Sequence, residues 1–134
     1  MLNEDLISLS KARLLHAEDC LKEAKILMNA NEYKGTVNRA YYAAFHSLRA
    51  VLILDGYDSK KHSGIISKFR ELYLKTELFD KGISDAISSL FRVRSASDYD
   101  DFYIVSKQDA VTQLEHTEKI IRLISAYLEE KYSR

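Results

Sequence analysis

The chain has 134 residues, 20 basic side chains against 20 acidic ones, a single cysteine and no proline. That length suits one domain, residues 1–134, able to bury a core without metal or disulfide staples, and the neutral balance excludes a global field drawing the protein onto nucleic acid or an anionic membrane. Any nucleic-acid contact must be local, and the lone Cys20, set among Ala17, Leu21 and Ala24, predicts core packing in a reducing cytoplasm.

The opening MLNEDLISLSKARLL carries acids early, which predicts no signal peptide. No stretch approaches the ~20 apolar residues of a membrane span. Apolar spacing of three and four dominates, so the expected fold is all-α. Helix one is predicted over residues 4–30, with Leu14, Ala17, Leu21, Ala24 and Met28 on one face. NANEY ends it, its asparagines suiting a helix terminus. Helix two is predicted from Tyr33 to Leu54, with Val37, Tyr41, Ala44, Leu48 and Val51 as its seam. DGYDSKKHSG reads as a loop. Helix three is predicted from Ser63 to Lys75, burying Ile65, Ile66, Phe69 and Leu72. Asp80 is the expected cap of helix four, which presents Ile83, Ile87, Leu90 and Phe91 inward and frays near Asp98. Ser106 and Asp109 have the spacing of a capping box. They introduce helix five, striped by Ala110, Leu114, Thr117, Ile121, Ile124 and Leu128. Short connections favour antiparallel neighbours. The expectation is an antiparallel up-and-down bundle of four main helices with one shorter helix inserted.

Helix two also carries cations. At 100° per residue, Arg39, Tyr42, His46, Arg49 and Ile53 form a stripe beside the apolar seam. Taken alone, such a stripe is a boundary whose arginine stems cover apolar surface. Helix four changes the weighing. Ile87, Phe91, Arg94 and Asp98 share its core-facing side, whereas Arg92 falls on the solvated side. An inward charge is costly unless paired or facing a cleft, and an exposed i,i+4 pair contributes only about 0.2–0.5 kcal/mol. A polar pocket or a subunit interface explains the placement better. His62, beside Lys60 and Lys61, is placed at the same end.

Other chemistries are weakly signalled. His16, His46, His62 and His116 lie on separate segments, with no H-E-x-x-H and no Cys–His cluster in the sequence, so no metal site and no cofactor is expected. SDYDD, residues 97–101, reads as a solvated helix end in preference to a magnesium site. Lys60, Lys61, His62, Lys68, Arg70 and Lys75, interleaved with Tyr57, Phe69 and Tyr73, offer either an RNA track built on phosphate contacts and stacking or an ordinary charged face. The second is the better reading.

Three ordered segments, NRAYYAAFHSLRAVL, KKHSGIISKF and LFRVRSASDYDDF, closely resemble the HEPN domain family in its small stand-alone prokaryotic branch, over residues 10 to 130 or so. The resemblance implies a four- or five-helix bundle, commonly a homodimer, often paired with a small nucleotidyltransferase in toxin–antitoxin-like systems. It also implies metal-independent RNase activity in members that carry an arginine, then four to six intervening residues, then a histidine. There the RNA 2′-OH attacks and the histidine moves the proton. In this chain Arg92 and Arg94 are the candidate arginines and Asp98 stands in the histidine slot; only the count from Arg92 fits that interval, although Arg92 points away from the core face. Aspartate is ionised at neutral pH and repels phosphate. In some paired systems the transferase adenylylates a tyrosine just past that histidine; Tyr99 and Tyr103 lie nearby.

The expected site is therefore a polar dimer cleft for RNA or nucleotide. Arg94, Asp98, His46 and His62 are the catalytic candidates, and Arg39, Tyr42, Lys61 and Tyr99 the binding candidates. The rival expectation is a non-catalytic helical adaptor that dimerises and binds a partner protein.

Overall fold

A computed structural model describes residues 3–134. Five helices follow one another: α1 (Glu4–Asn29), α2 (Tyr33–Ile53), α3 (His62–Phe69), α4 (Gly82–Tyr99) and α5 (Lys107–Tyr132). Among the described residues there is no strand, and no helix is long and apolar enough to cross a membrane.

The ends of the helices follow from local chemistry. Asn3 Oδ1 accepts from the N–H groups of Asp5 and Leu6 and starts α1. At its far end Asn31 adopts φ 61°. The N–H of Glu32 reaches the Leu27 carbonyl and that of Asn31 reaches Met28, the paired bonds of a Schellman stop. Asparagine tolerates this left-handed position better than most residues. Gly56, at φ 75°, closes α2 in the same way, with Tyr57 bonding back to Leu52 and Gly56 to Ile53. The N-cap of α4 is Lys81, one residue past the expected Asp80; Asp80 Oδ1 still accepts from the Gly82 N–H at 2.7 Å. Ser106 and Asp109 close the expected capping box on α5.

Helix α3 departs from the expected single run over 63–75. It is α-helical only to Phe69 and widens into a π-helical turn over Arg70–Leu74. That turn still buries Tyr73, whose hydroxyl donates to Asp55 Oδ2 at 2.5 Å. It also leaves Arg70 bonded to Ser88 Oγ on α4. Phe91 differs from expectation too: it is 40% exposed, in a groove between α3 and α4 that Ile66 and Ile87 also line.

Helix α2 is the axis of the bundle, in contact with α1, α3, α4 and α5. Buried residues run around most of its circumference, including Val37, Ala40, Leu48, Val51 and Leu52. Against α1 the contact uses small side chains: Ala17, Cys20 and Ala24 on α1 and Ala43 on α2 are all fully buried. Two buried hydroxyls, one from α1 and one from α5, fasten α2 further. Ser10 Oγ donates to the Ala50 carbonyl at 2.6 Å and also meets Tyr132 Oη of α5. Thr117 Oγ1 of α5 donates to the Ala40 carbonyl at 2.8 Å.

Leu48→Ala, at a core position with 1% exposure, should lower the unfolding free energy by about 2–5 kcal/mol in urea denaturation. An unchanged midpoint and slope would contradict this account of α2 as the buried axis.

Candidate functional site

Tyr41 and Tyr42 are consecutive on α2, so their side chains leave the helix about 100° apart and reach different partners. Tyr41 is buried, and its hydroxyl meets His62 Nδ1 of α3 at 2.8 Å. Tyr42 is half-buried and accepts a hydrogen bond from Arg94 Nη2 of α4 at 3.1 Å. The Arg94 guanidinium also stands over both rings, 5.0 Å from the centroid of Tyr41 and 5.5 Å from that of Tyr42. Its Nε lies 2.9 Å from Asp98 Oδ2 but makes no directed hydrogen bond, so charge holds this pair. Arg39 approaches the Tyr42 ring as well, at 5.2 Å. Asn38 Oδ1 accepts from its Nε and Nη2.

Beside these residues an open cleft of about 540 Å³ is lined by Tyr42, His46, Arg49, Asp58, Lys60 and His62, among others. Asp58 anchors the loop between α2 and α3. Arg13 Nη2 of α1 donates to it at 2.8 Å, the Ser59 N–H at 2.9 Å, and Arg49 stands at 3.5 Å. Burial pushes the Asp58 carboxyl up, but the Arg13 and Ser59 hydrogen bonds and the two guanidinium charges outweigh it and hold it below the usual range.

His62 stacks on Phe45 with centroids 4.1 Å apart. Burial first, then the charges of Arg94 and Arg49, lower its pKa below the ordinary 6.5. It is neutral at pH 7 and available as a base. Burial pushes the Tyr41 phenol up to about 12. That hydroxyl keeps its proton and can donate to neutral His62 or accept from the imidazolium, which fixes the ring in either state. His46 behaves otherwise. Its ring stacks on His16 of α1 at 4.0 Å. Burial first, then His16 and the nearby cations, bring its pKa down to about 4. Such a group cannot act as a general acid at neutral pH.

The cleft thus brings together Tyr42, His46, Arg49 and His62, with Arg94 joined to it through the Tyr42 hydroxyl. Asp98 braces Arg94. Lys61 and Tyr99 stand apart: both are exposed, and Lys60 lines the cleft where Lys61 was expected. The basic run does not form an RNA track, because Phe69 and Tyr73 are buried and cannot stack on bases. Lys68 pairs with Glu71, and Arg70 is held by Ser88. Arg92 is exposed, as its helical position implied. The expected separation of the histidines fails in space, since His16, Cys20 and His46 bring their ligand atoms within 4.8 Å of one another. Sequence reasoning missed Tyr41, Asp58 and Arg13. Tyr41 lies in an apolar seam that hides its hydroxyl, and the other two meet only through the fold.

His62 should titrate by NMR with a midpoint below 6.5, and Arg94→Ala should move that midpoint up by removing a repelling charge. Because folding disfavours the imidazolium, this residue costs stability only as pH falls through about 6.5, and the loss grows until the folded ring also protonates. A midpoint at or above 6.5, or a downward shift in the variant, would contradict this electrostatic picture.

The family model described as HEPN domain matches residues 10–130. A UPF0332 protein of Thermotoga maritima is 27% identical over 85% of this chain and 86% of its own length. A UPF0332 protein of Archaeoglobus fulgidus is 34% identical over 82% of this chain and 87% of its own. "Putative toxin MJ0605" of Methanocaldococcus jannaschii is 33% identical over 74% of each. With a five-helix fold and a family match spanning almost its whole length, this chain belongs to the HEPN domain family.

Proposed function

We propose that this protein is the toxin-like half of a two-component system, acting in the cytoplasm as a homodimer beside a small nucleotidyltransferase, and that it binds RNA phosphate at the α2–α3 cleft. The observation that carries the reading is the convergence of Arg49, Lys60 and His62 on one cleft, with Arg94 hydrogen-bonded to its Tyr42 wall. Relatives bearing the name "Putative toxin" support the role. The family resemblance supports the pairing with a transferase, and exposed Phe91 at the α3–α4 groove supports dimerisation.

In the catalytic form of this reading, Arg49 and Lys60 hold the scissile phosphate by charge-assisted hydrogen bonds. Neutral His62, oriented by Tyr41, takes the proton of the RNA 2′-OH as that oxygen attacks phosphorus, leaving a 2′,3′-cyclic phosphate on one fragment while the 5′-oxygen departs with a proton taken from water. His46 stays neutral and Asp98 is held on Arg94 away from the cleft lining, so neither supplies the leaving oxygen's proton. The reaction is therefore slow. A second reading is a non-catalytic interaction module. It is favoured by the Arg94–Asp98 pair, which neutralises the inward-facing one of the two candidate arginines, and by Phe102 and Ile104, 94% and 86% exposed between α4 and α5.

Single-turnover assays on purified protein with a structured RNA decide between them. The RNase reading expects slow cleavage that survives EDTA, falls by about 100-fold or more in His62→Ala, and weakens by about tenfold or more in Arg94→Ala. Saturable RNA binding that Arg49→Ala weakens, without cleavage, supports the binding module. Cleavage equal in wild type and His62→Ala would refute the assignment of His62. No RNA binding at low salt would refute the cleft reading altogether.

A further inference from the structure

The α1–α2 contact carries a cluster that the cleft chemistry does not use. His16 and Cys20 are one turn apart on α1, which sets them on the same face. His46 comes from α2 opposite. One ligand atom from each, an imidazole nitrogen or the Cys20 Sγ, lies within 4.8 Å of the other two. The fully buried Ala17 and Ala43 pack in the same cluster as Cys20, and side chains this small let the two helices approach closely enough for the three donors to meet.

Two observations make this more than packing. His46 Nδ1 is buried without a hydrogen-bond partner, an uncommon state that a bond to a cation at this nitrogen would relieve. The donor set is also chemically selective. Two imidazoles and a thiolate suit borderline-soft ions that take tetrahedral sites, zinc above all, and do not suit magnesium or calcium. Tetrahedral zinc with bonds of about 2.0–2.3 Å needs donors roughly 3.3–3.6 Å apart. The cluster must therefore tighten wherever a separation exceeds that distance, within the 4.8 Å that bounds all three. His16 is exposed, so its ring is free to swing out of the stack with His46 and supply that closure.

We propose that His16, Cys20 and His46 form a three-ligand site for a borderline-soft divalent cation, zinc being the ion it fits, with the fourth position open to water. Binding exchanges the Cys20 thiol proton for the metal: the S–H bond breaks, the S–metal bond forms and one proton is released to solvent, with no change of oxidation state. The site lies on the α1 side of His46, which also forms part of the cleft wall, so a bound ion adds positive charge at that wall.

The test is titration of the intact chain with Co²⁺, in a non-thiol reductant, followed by displacement with Zn²⁺. The expected result is one equivalent bound, with a thiolate-to-cobalt charge-transfer band and tetrahedral d–d bands, then loss of colour and a rise in Tm as zinc enters. Cys20→Ser should abolish the charge-transfer band. His16→Ala alters an exposed side chain and should keep the fold by circular dichroism while weakening zinc binding by about tenfold or more. It decides the matter if Cys20→Ser fails to fold. Absence of saturable binding, cobalt binding without the thiolate band, or zinc affinity unchanged in His16→Ala would each overturn the site, whatever the outcome of the RNA assays.

Discussion

Two hydroxyls on one helical step organise the site. Because Tyr41 and Tyr42 are adjacent, α2 points one phenol at α3 and the other at α4, and each ends on a nitrogen: His62 Nδ1 in one case, Arg94 Nη2 in the other. Helices α3 and α4 belong to different parts of the chain, and among the described residues these two bonds are their side-chain hydrogen bonds to α2. The tyrosine pair therefore sets where the imidazole and the guanidinium stand relative to each other. It can do so only because α2 is held rigidly by its neighbours, through Ala–Ala closeness to α1 and the Thr117 and Ser10 hydrogen bonds to its carbonyls.

The same pair explains how cations sit in a segment that otherwise leaves water. A buried guanidinium must recover its hydration. Arg94 does so with three different contacts: the Tyr42 oxygen, the Asp98 carboxylate and the faces of two tyrosine rings. A cation over an aromatic face gains about 0.5–1 kcal/mol at exposed sites and more when desolvated. Two rings and a carboxylate together make a stable seat. Arg39 takes a lesser version of the same seat, on Tyr42 and Asn38. Neither arginine is a surface charge caught by accident at the core boundary.

Helix existence and most termini were legible because they depend on neighbours in sequence: apolar period, the Asn31 and Gly56 stops, the Ser106–Asp109 box. The π-helical turn at Arg70–Leu74 was not, since the apolar period of RELYL suits an ordinary helix and the widening shows only in the backbone bonds. The stripe Tyr42–His46–Arg49 and the inward Arg94 were readable from helical angles alone. What angles cannot give is the partner. His62 and Asp58 reach the cleft through a loop of irregular geometry, and Tyr41 carried an apolar signal that concealed its polar end. The His16–Cys20–His46 cluster escaped notice for a similar reason. A sequence shows the i,i+4 pair on α1, but only the α1–α2 contact delivers the third ligand.

The charge balance of the cleft constrains any ligand. Arg13 and Arg49 already share Asp58, and Arg94 already has Asp98. Lys60 is the one cleft cation that the described residues leave without a carboxylate. A phosphate entering here must therefore exchange a carboxylate for itself at Arg49 or settle on Lys60 and the neutral His62. Both routes give less than the full attraction that the same cations would exert unpaired, and both couple binding to the Asp58 loop, since Asp58 must yield its place or repel the ligand. This local cancellation has the same sense as the chain's overall neutrality. With no net charge, the chain has no overall field to draw an anion toward the cleft from a distance.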